Sequence, residues 1–309
     1  MEDVGKEIRS LIEKRNVGAV YEKLVAEVLH DPEVAAFLQQ HQGQLTEEEI
    51  LNSYAKLYEF VQEKEKYRRG EKNQLAPGYK PELVLNHHFI DVSYVATVEL
   101  LKEQERLAIL KRVSMFEMPK NIKYASFDQF QLTPQRAKAI DSALKFVEDY
   151  ATAPEVFHKG LYLSGSFGVG KSYLLGAIAH ELAKHGFATQ LVHFPSFALD
   201  MKRAIGRGTV AEEIEQAKKV PILMLDDLGA DNLSSWIRDE VLGVILQYRM
   251  QEELPLFISS NISLNDLEKN YLTTNQKGEE DPLKAKRLME RLRFLTTEVA
   301  MIGDNRRNE

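Results

Sequence analysis

Residues 165–172 read Gly-Ser-Phe-Gly-Val-Gly-Lys-Ser, three glycines followed by a lysine and a hydroxyl. The stretch satisfies G-x-x-x-x-G-K-[ST] between the apolar run Leu161–Leu163 and the helical-looking segment Tyr173–His185. Glycines let a backbone wrap with its N–H groups turned inward onto phosphate oxygens, and a helix that follows adds positive potential. Lys171 would then reach the β and γ phosphates of a nucleoside triphosphate, and the Ser172 hydroxyl would ligate magnesium. The expected cradle is Gly165, Ser166, Phe167, Gly168, Val169, Gly170, Lys171 and Ser172, with Tyr173 opening the helix behind it. Lys171 is expected on an exposed loop. The competing reading is a glycine-rich turn that matches by chance. It leaves the strand before, the helix after and the acidic pair downstream without explanation.

That acidic pair is Asp226-Asp227, delivered at the end of the apolar run 221–225. Ligands in open α/β sheets sit at the carboxyl ends of strands, so Asp226 is expected to hold magnesium, directly or through water. Asp227 stands where many such ATPases have a glutamate that orients the attacking water. It is one methylene shorter, which predicts slow or partner-assisted hydrolysis. Asn261 ends the next apolar run and would place its amide near the γ-phosphate; a strand-ending asparagine in a turn is the plain alternative. Arg287, Arg291 and Arg293 lie on a basic helical stretch, with Arg287 and Arg291 sharing a face at i, i+4. One of them would serve as an arginine finger to a neighbouring subunit, or the helix is simply a solvated basic face paired with Glu290.

These residues need a sheet to position them. Five short apolar runs, 160–165, 188–194, 221–227, 254–261 and 298–303, alternate mostly with helical patterns of ten or more residues. That alternation predicts a parallel α/β sheet of five strands. The front of the chain reads differently. Val20, Leu24 and Val28 repeat at helical spacing, Asp31-Pro32 is a cap followed by a first-turn proline, and Thr46 with Glu49 is a capping-box pattern. The helix opened there carries Ile50, Tyr54, Leu57, Tyr58 and Val61, a stripe expected to close a small helical core. A hairpin turning near Asn86 and a charged helix from about Thr97 to Val113 follow. The expected division is a mainly helical domain at 1–105, a linker and entry segment at 106–133, and the nucleotide domain at 134–309.

The bulk composition narrows the class. Hydrophobic residues make up 44% and charged ones 28%, with a formal net charge of −7 and no cysteine. Disulfides and thiolate metal sites are excluded. No apolar run approaches the ~20 residues of a membrane span, so no membrane partner is expected and the protein is placed in the cytoplasm. The acidic balance argues against whole-molecule attraction to nucleic acid while leaving a local basic patch open. Lys202, Arg203 and Arg207, near Phe194 and Phe197, read equally as ordinary surface charge. Only the family resemblance given next makes them, with Ser234, Ser235 and Trp236 after the acidic pair, candidates for single-stranded DNA contact. Core packing is the preferred reading for the two phenylalanines.

Cradle, Asp-Asp strand, Ser260-Asn261 and the basic helix, in that order, resemble the AAA+ ATPases of the bacterial helicase-loader group. The similarity runs over essentially the whole chain and is weaker in its first third. It implies an α/β P-loop AAA+ ATPase domain with a five-stranded parallel sheet and no C-terminal lid, preceded by a small helical domain that binds the replicative hexameric helicase. It further implies ATP and Mg2+ as cofactors, slow partner- or DNA-regulated hydrolysis, single-stranded DNA and other primosome proteins as partners, and ATP-dependent self-association. Arg291 matches the group's finger, with Arg287 the runner-up. Arg306 and Arg307 would take over part of a missing lid's nucleotide contact. Members of the group can carry a cysteine-rich zinc site; here only His87 and His88 stand nearby, a poor pair on opposite faces of a strand, so zinc is not expected. The alternative function is an IstB-like ATPase helper of DNA transposition, which shares the ATPase half only. A small-metabolite kinase would leave the basic helix and the helical front without a role.

Overall fold

The computed structural model describes residues 19–230, 233–273 and 281–306, with side chains from residue 24 onward. Its contacts divide the chain into two compact units, Met1–Glu105 and Arg106–Glu309.

In the first unit, helices α1 (Ala19–Leu29), α2 (Pro32–Gln40), α3 (Glu47–Asn52) and α4 (Tyr54–Arg69) precede a hairpin of β1 (Tyr79–Asn86) and β2 (Phe89–Ala96). Asp31 caps α2 by accepting from the N–H groups of Glu33 and Val34, and Thr46 and Glu49 form the reciprocal capping box of α3. The single helix expected beyond Thr46 is broken at Ser53. Its hydroxyl donates to the Glu49 carbonyl and accepts from the Ile90 N–H, so the break ties the helices to the hairpin. Leu57 and Phe60 are buried with Val28, Val34 and Ile90, whereas Tyr58 stays at the surface. His87 and His88 form the hairpin turn, and His88 Nδ1 lies 2.9 Å from Glu49 Oε1. No group of three His, Cys, Asp or Glu able to hold a metal occurs among the described residues.

The charged helix α5 (Val98–Arg112) runs from the first unit into the second. The second unit is built on β3 (Val113–Phe116), β4 (Gly160–Ser164), β5 (Thr189–His193), β6 (Ile222–Asp226), β7 (Leu256–Ser260) and β8 (Thr296–Ala300), all paired in parallel in the order β3-β5-β6-β7-β4-β8. Among the described residues the sheet therefore has six strands, not the expected five. The additional edge strand follows α5 with no turn residue between them, so nothing in the sequence marks where helix stops. Val113 and Met115 pack into one core and Phe116 into the other, which holds this short segment on the sheet.

Helices α6 (Pro134–Thr152) and α7 (Lys171–Lys184) cover one face of the sheet. The other face carries α8 (Phe194–Arg207), α10 (Gly243–Gln251) and α11 (Pro282–Leu295), with α9 (Val210–Lys219) packed on α8 and α10. Strand β6 shows why both faces need covering. Ile222 and Met224 join the first core, Leu223 and Leu225 the second, and all four are buried. No described helix is long and apolar enough to cross a membrane.

Arg249, on α10, is completely buried. Its guanidinium donates to the carbonyls of Ala217, Lys218, Val220, Pro221 and Pro255 at 2.5–3.3 Å. It thereby ties the end of α9 and the entries of β6 and β7 to one side chain. Alignment of those two strands fixes the acidic pair relative to Asn261.

Candidate functional site

Strand β4 ends at Ser164 and the chain turns through Gly168 and Gly170 at φ +75° and +101°, a backbone open to glycine and strained for other residues. Helix α7 starts at Lys171 itself. The lysine is not on an exposed loop, as expected from sequence, but buried by the loop that folds over it, with a relative exposure of 7%. Its Nζ donates to the carbonyls of Gly165 (2.7 Å) and Ser166 (2.9 Å) and to Asn261 Oδ1 (2.8 Å). Phe167 stands exposed at the tip, while Val169 is buried in the core. Tyr173 lines the cleft and its hydroxyl donates to Gln129 Oε1 at 3.3 Å.

The acidic pair meets this loop from β6. Asp226 is buried and accepts a 2.5 Å bond from the Ser259 hydroxyl on β7, and Ser172 hydrogen-bonds to it as well. Burial pushes the Asp226 carboxyl above the ordinary aspartate range, and the Asp227 charge adds to the rise. The hydroxyls of Ser259 and Ser172, together with His193, offset part of it. Asp227 adopts φ +62°, rare for a side-chain-bearing residue. Two partners hold it there: its N–H donates to Ser259 Oγ at 2.9 Å, and its Oδ1 accepts from Asn261 Nδ2 at 2.9 Å. Asn261 thus bridges Lys171 and Asp227 with the two ends of one amide.

These groups line a cleft of about 720 Å3 together with Phe167, Gly168, Gly170, Ser172, Gln131, Arg136 and Arg306. Sequence reasoning missed several of the lining residues. Ser259 was legible as the first of two hydroxyls following the apolar run Leu256–Ile258, and His193 as a polar residue ending a strand at the same sheet edge as Asp226, with which it is in register. His193 Nδ1 lies 2.8 Å from the Ser196 hydroxyl, and both line the cleft. Gln131 and Arg136 carry no local motif and reach the site only through the fold.

The remaining candidates lie elsewhere. Arg291 is half-buried on α11 and donates to the Gly243 carbonyl at 2.8 Å, with burial lowering its guanidinium pKa. Arg287, one turn earlier, is exposed. Neither is among the described residues lining the cleft. On α8, Lys202, Arg203 and Arg207 are exposed, and Arg207 pairs with Asp200 at 3.1 Å. Phe194 and Phe197 are buried in the core. Ser234 starts the next helix by accepting from the Ile237 N–H, and Trp236 is half-buried against the core rather than displayed for stacking. Arg306 lines the cleft, and Arg307 lies outside the described residues.

A parallel sheet covered on both faces, a phosphate loop after β4, paired acids after β6 and an asparagine after β7 define an ATP-binding protein of the AAA+ P-loop class. The IstB-like ATP binding protein family matches residues 88–307, and the Primosomal protein DnaI N-terminus family matches residues 1–94. The chain is 34% identical to the replicative helicase loader DnaI of Bacillus subtilis (strain 168), with 100% of both chains covered. It resembles a crystal structure of DnaI with TM-score 0.55 and 43% identity over 64% of this chain and 99% of that one. The crystal structure of the DnaC helicase loader is similar in fold at TM-score 0.50 and 23% identity, over 60% of this chain and 100% of that one. The chain belongs to the DnaI family of replicative helicase loaders.

Proposed function

We propose that this protein is an ATP-controlled loader that binds the replicative hexameric helicase and helps place it on single-stranded DNA during primosome assembly in the cytoplasm. The observation that carries the reading is the convergence of Lys171, Asp226, Asp227 and Asn261 in one cleft, in a chain related along its whole length to a helicase loader. A transposition helper is the weaker reading, because the front of the chain matches the DnaI N-terminus family.

The loop N–H groups and the α7 N-terminus would take the phosphates, with Lys171 supplying the localised positive charge. Ser172 and Asp226 present a hydroxyl and a buried carboxylate to each other, an all-oxygen pair that suits Mg2+ and would hold it. Magnesium, when bound, neutralises charge developing on the phosphate oxygens. Asp227 would orient the attacking water, and its fixed backbone keeps the shorter acid in place. Asn261 would position that acid while sensing the phosphate through Lys171. Arg291 would act on a neighbouring copy's nucleotide, so turnover would depend on self-association.

The first unit is read as the helicase-docking domain and the exposed Lys202 and Arg203 as part of a DNA track. Light scattering of the full chain mixed with its host's replicative helicase, in ATP and in ADP, tests the reading. A nucleotide-sensitive complex supports the loader. No complex in either nucleotide, with binding to a transposase instead, would overturn it.

A further inference from the structure

After β8 the chain does not leave the nucleotide site. The Met301 N–H donates to the Ser164 carbonyl at 2.7 Å, continuing the β4–β8 ladder to the root of the phosphate loop. The segment then runs along that loop. A Cβ on Gly165 would overlap the Met301 carbonyl, and one on Gly168 would overlap the Asn305 side-chain oxygen. The Arg306 N–H donates to the Gly168 carbonyl at 3.1 Å, and its guanidinium donates to Gln131 Oε1, which also lines the cleft. Gly303 lies against the buried Arg136, where an added Cβ would stand 3.0 Å from Nε. Gly168, Gln131, Arg136 and Arg306 all line the one cleft.

A segment bonded both to the loop at Gly168 and to Gln131 in the stretch before α6 must yield before those two lining elements can part. We propose that residues 301–306 form a strap that retains the nucleotide: Arg306, anchored on Gly168, latches Gln131 and so slows release of a nucleoside di- or triphosphate. Arg306 is on this account a positioning residue whose partner is Gln131. The inference builds on the reading of the cleft as the nucleotide site. It makes the tail after the last strand part of the site's timing, and any partner that pulled the tail away would speed exchange.

The test is stopped-flow dissociation of N-methylanthraniloyl-ADP and its ATP counterpart from the full-length protein. The variants are Arg306→Ala, Gln131→Ala, their double, Arg306→Lys, and Lys171→Ala as a control, with Trp236 fluorescence melts confirming the fold. Loss of one charge-assisted bond predicts release about tenfold faster in either single variant, with association little changed. The double should release no faster than the singles, because both remove the same latch, and Arg306→Lys should fall between wild type and Arg306→Ala. Wild-type release in Arg306→Ala, or fully additive effects in the double, would overturn the strap while leaving the site intact. Failure of the wild type to bind nucleotide better than Lys171→Ala would overturn the site reading, and the strap with it.

Discussion

Replacing Asp226 with asparagine separates what this carboxylate costs the fold from what it gives the chemistry. Asp226 is 4% exposed, accepts the Ser259 hydroxyl at 2.5 Å, and has a carboxyl pKa raised above 3.8 with burial as the largest cause. A raised folded-state pKa means that the native protein binds the proton more tightly than the unfolded chain does. Stability from this group therefore grows as pH falls through the folded value towards the unfolded one, and the charged form costs stability at neutral pH. The Asp226→Asn amide would keep an acceptor oxygen for Ser259, remove the desolvated charge and end the repulsion with Asp227. The expected gain is about 1 kcal/mol at neutral pH, the usual size of relief when a strained functional group is removed. For a unit of this size it raises the melting midpoint by about 2–4 °C. The chain's single tryptophan, Trp236, lies in the second unit and reports that transition alone. In the same melts, saturating Mg-ATP at about a hundred times its Kd should stabilise the wild type by ~2.7 kcal/mol, and the variant should lose the magnesium-dependent share of that shift. Turnover should fall at least about a hundredfold. A midpoint below wild type at neutral pH would refute the claim that the buried charge is a burden. An undiminished Mg-ATP shift would refute its assignment to the metal.

Four further outcomes follow from other contacts. Lys171→Ala should weaken nucleotide binding about a hundredfold by fluorescence titration and cost about 1 kcal/mol in the Trp236 melt, since its three acceptors lose their donor. Arg291→Ala should leave nucleotide affinity unchanged yet cut phosphate release about a thousandfold under conditions of self-association; unchanged turnover would remove Arg291 from the active site. In the first unit, Lys64 is buried against Asp31 at 2.5 Å, so Lys64→Ala should destabilise that unit by about 3 kcal/mol in circular-dichroism melts. Burial alone would raise the Asp31 pKa, but bonds from Lys64 and the Glu33 and Val34 N–H groups outweigh it and lower the value. The stability it gives is therefore present above 3.8, lost as pH falls through the lowered folded value, and absent from the acid titration of Asp31→Asn.

The phosphate-loop pattern, the acid pair and the strand-ending asparagine were legible in the sequence because they are local patterns, and the fold brings them into one cleft. Each of them lies at or just after the end of a strand buried on both faces, whose apolar residues mark the place in the sequence. What escaped was set by contacts between distant segments. The β3 edge strand has four residues and no turn before it, so only its pairing with β5 defines it. Ser53 breaks a helix for the sake of a hydrogen bond 37 residues away. The expectation for Lys171 failed because a loop was assumed to expose its side chains, whereas this one turns two carbonyls back onto the ammonium. Gln131 and Arg136 belong to the cleft only once β4 and the segment 117–136 are brought together. Trp236 was read for its chemistry, and it stands half-buried against the core.

Arg249 has a practical consequence. The bonding partners of this buried cation are backbone dipoles rather than a carboxylate, so ordinary changes in ionic strength have no ion pair to screen there and mild acid has no partner to protonate. The alignment of β6 and β7 should be indifferent to the salt range over which exposed lysines and arginines release a polyanion. A salt titration of the proposed DNA binding would then report on the protein's surface alone, free of distortion from the sheet beneath it.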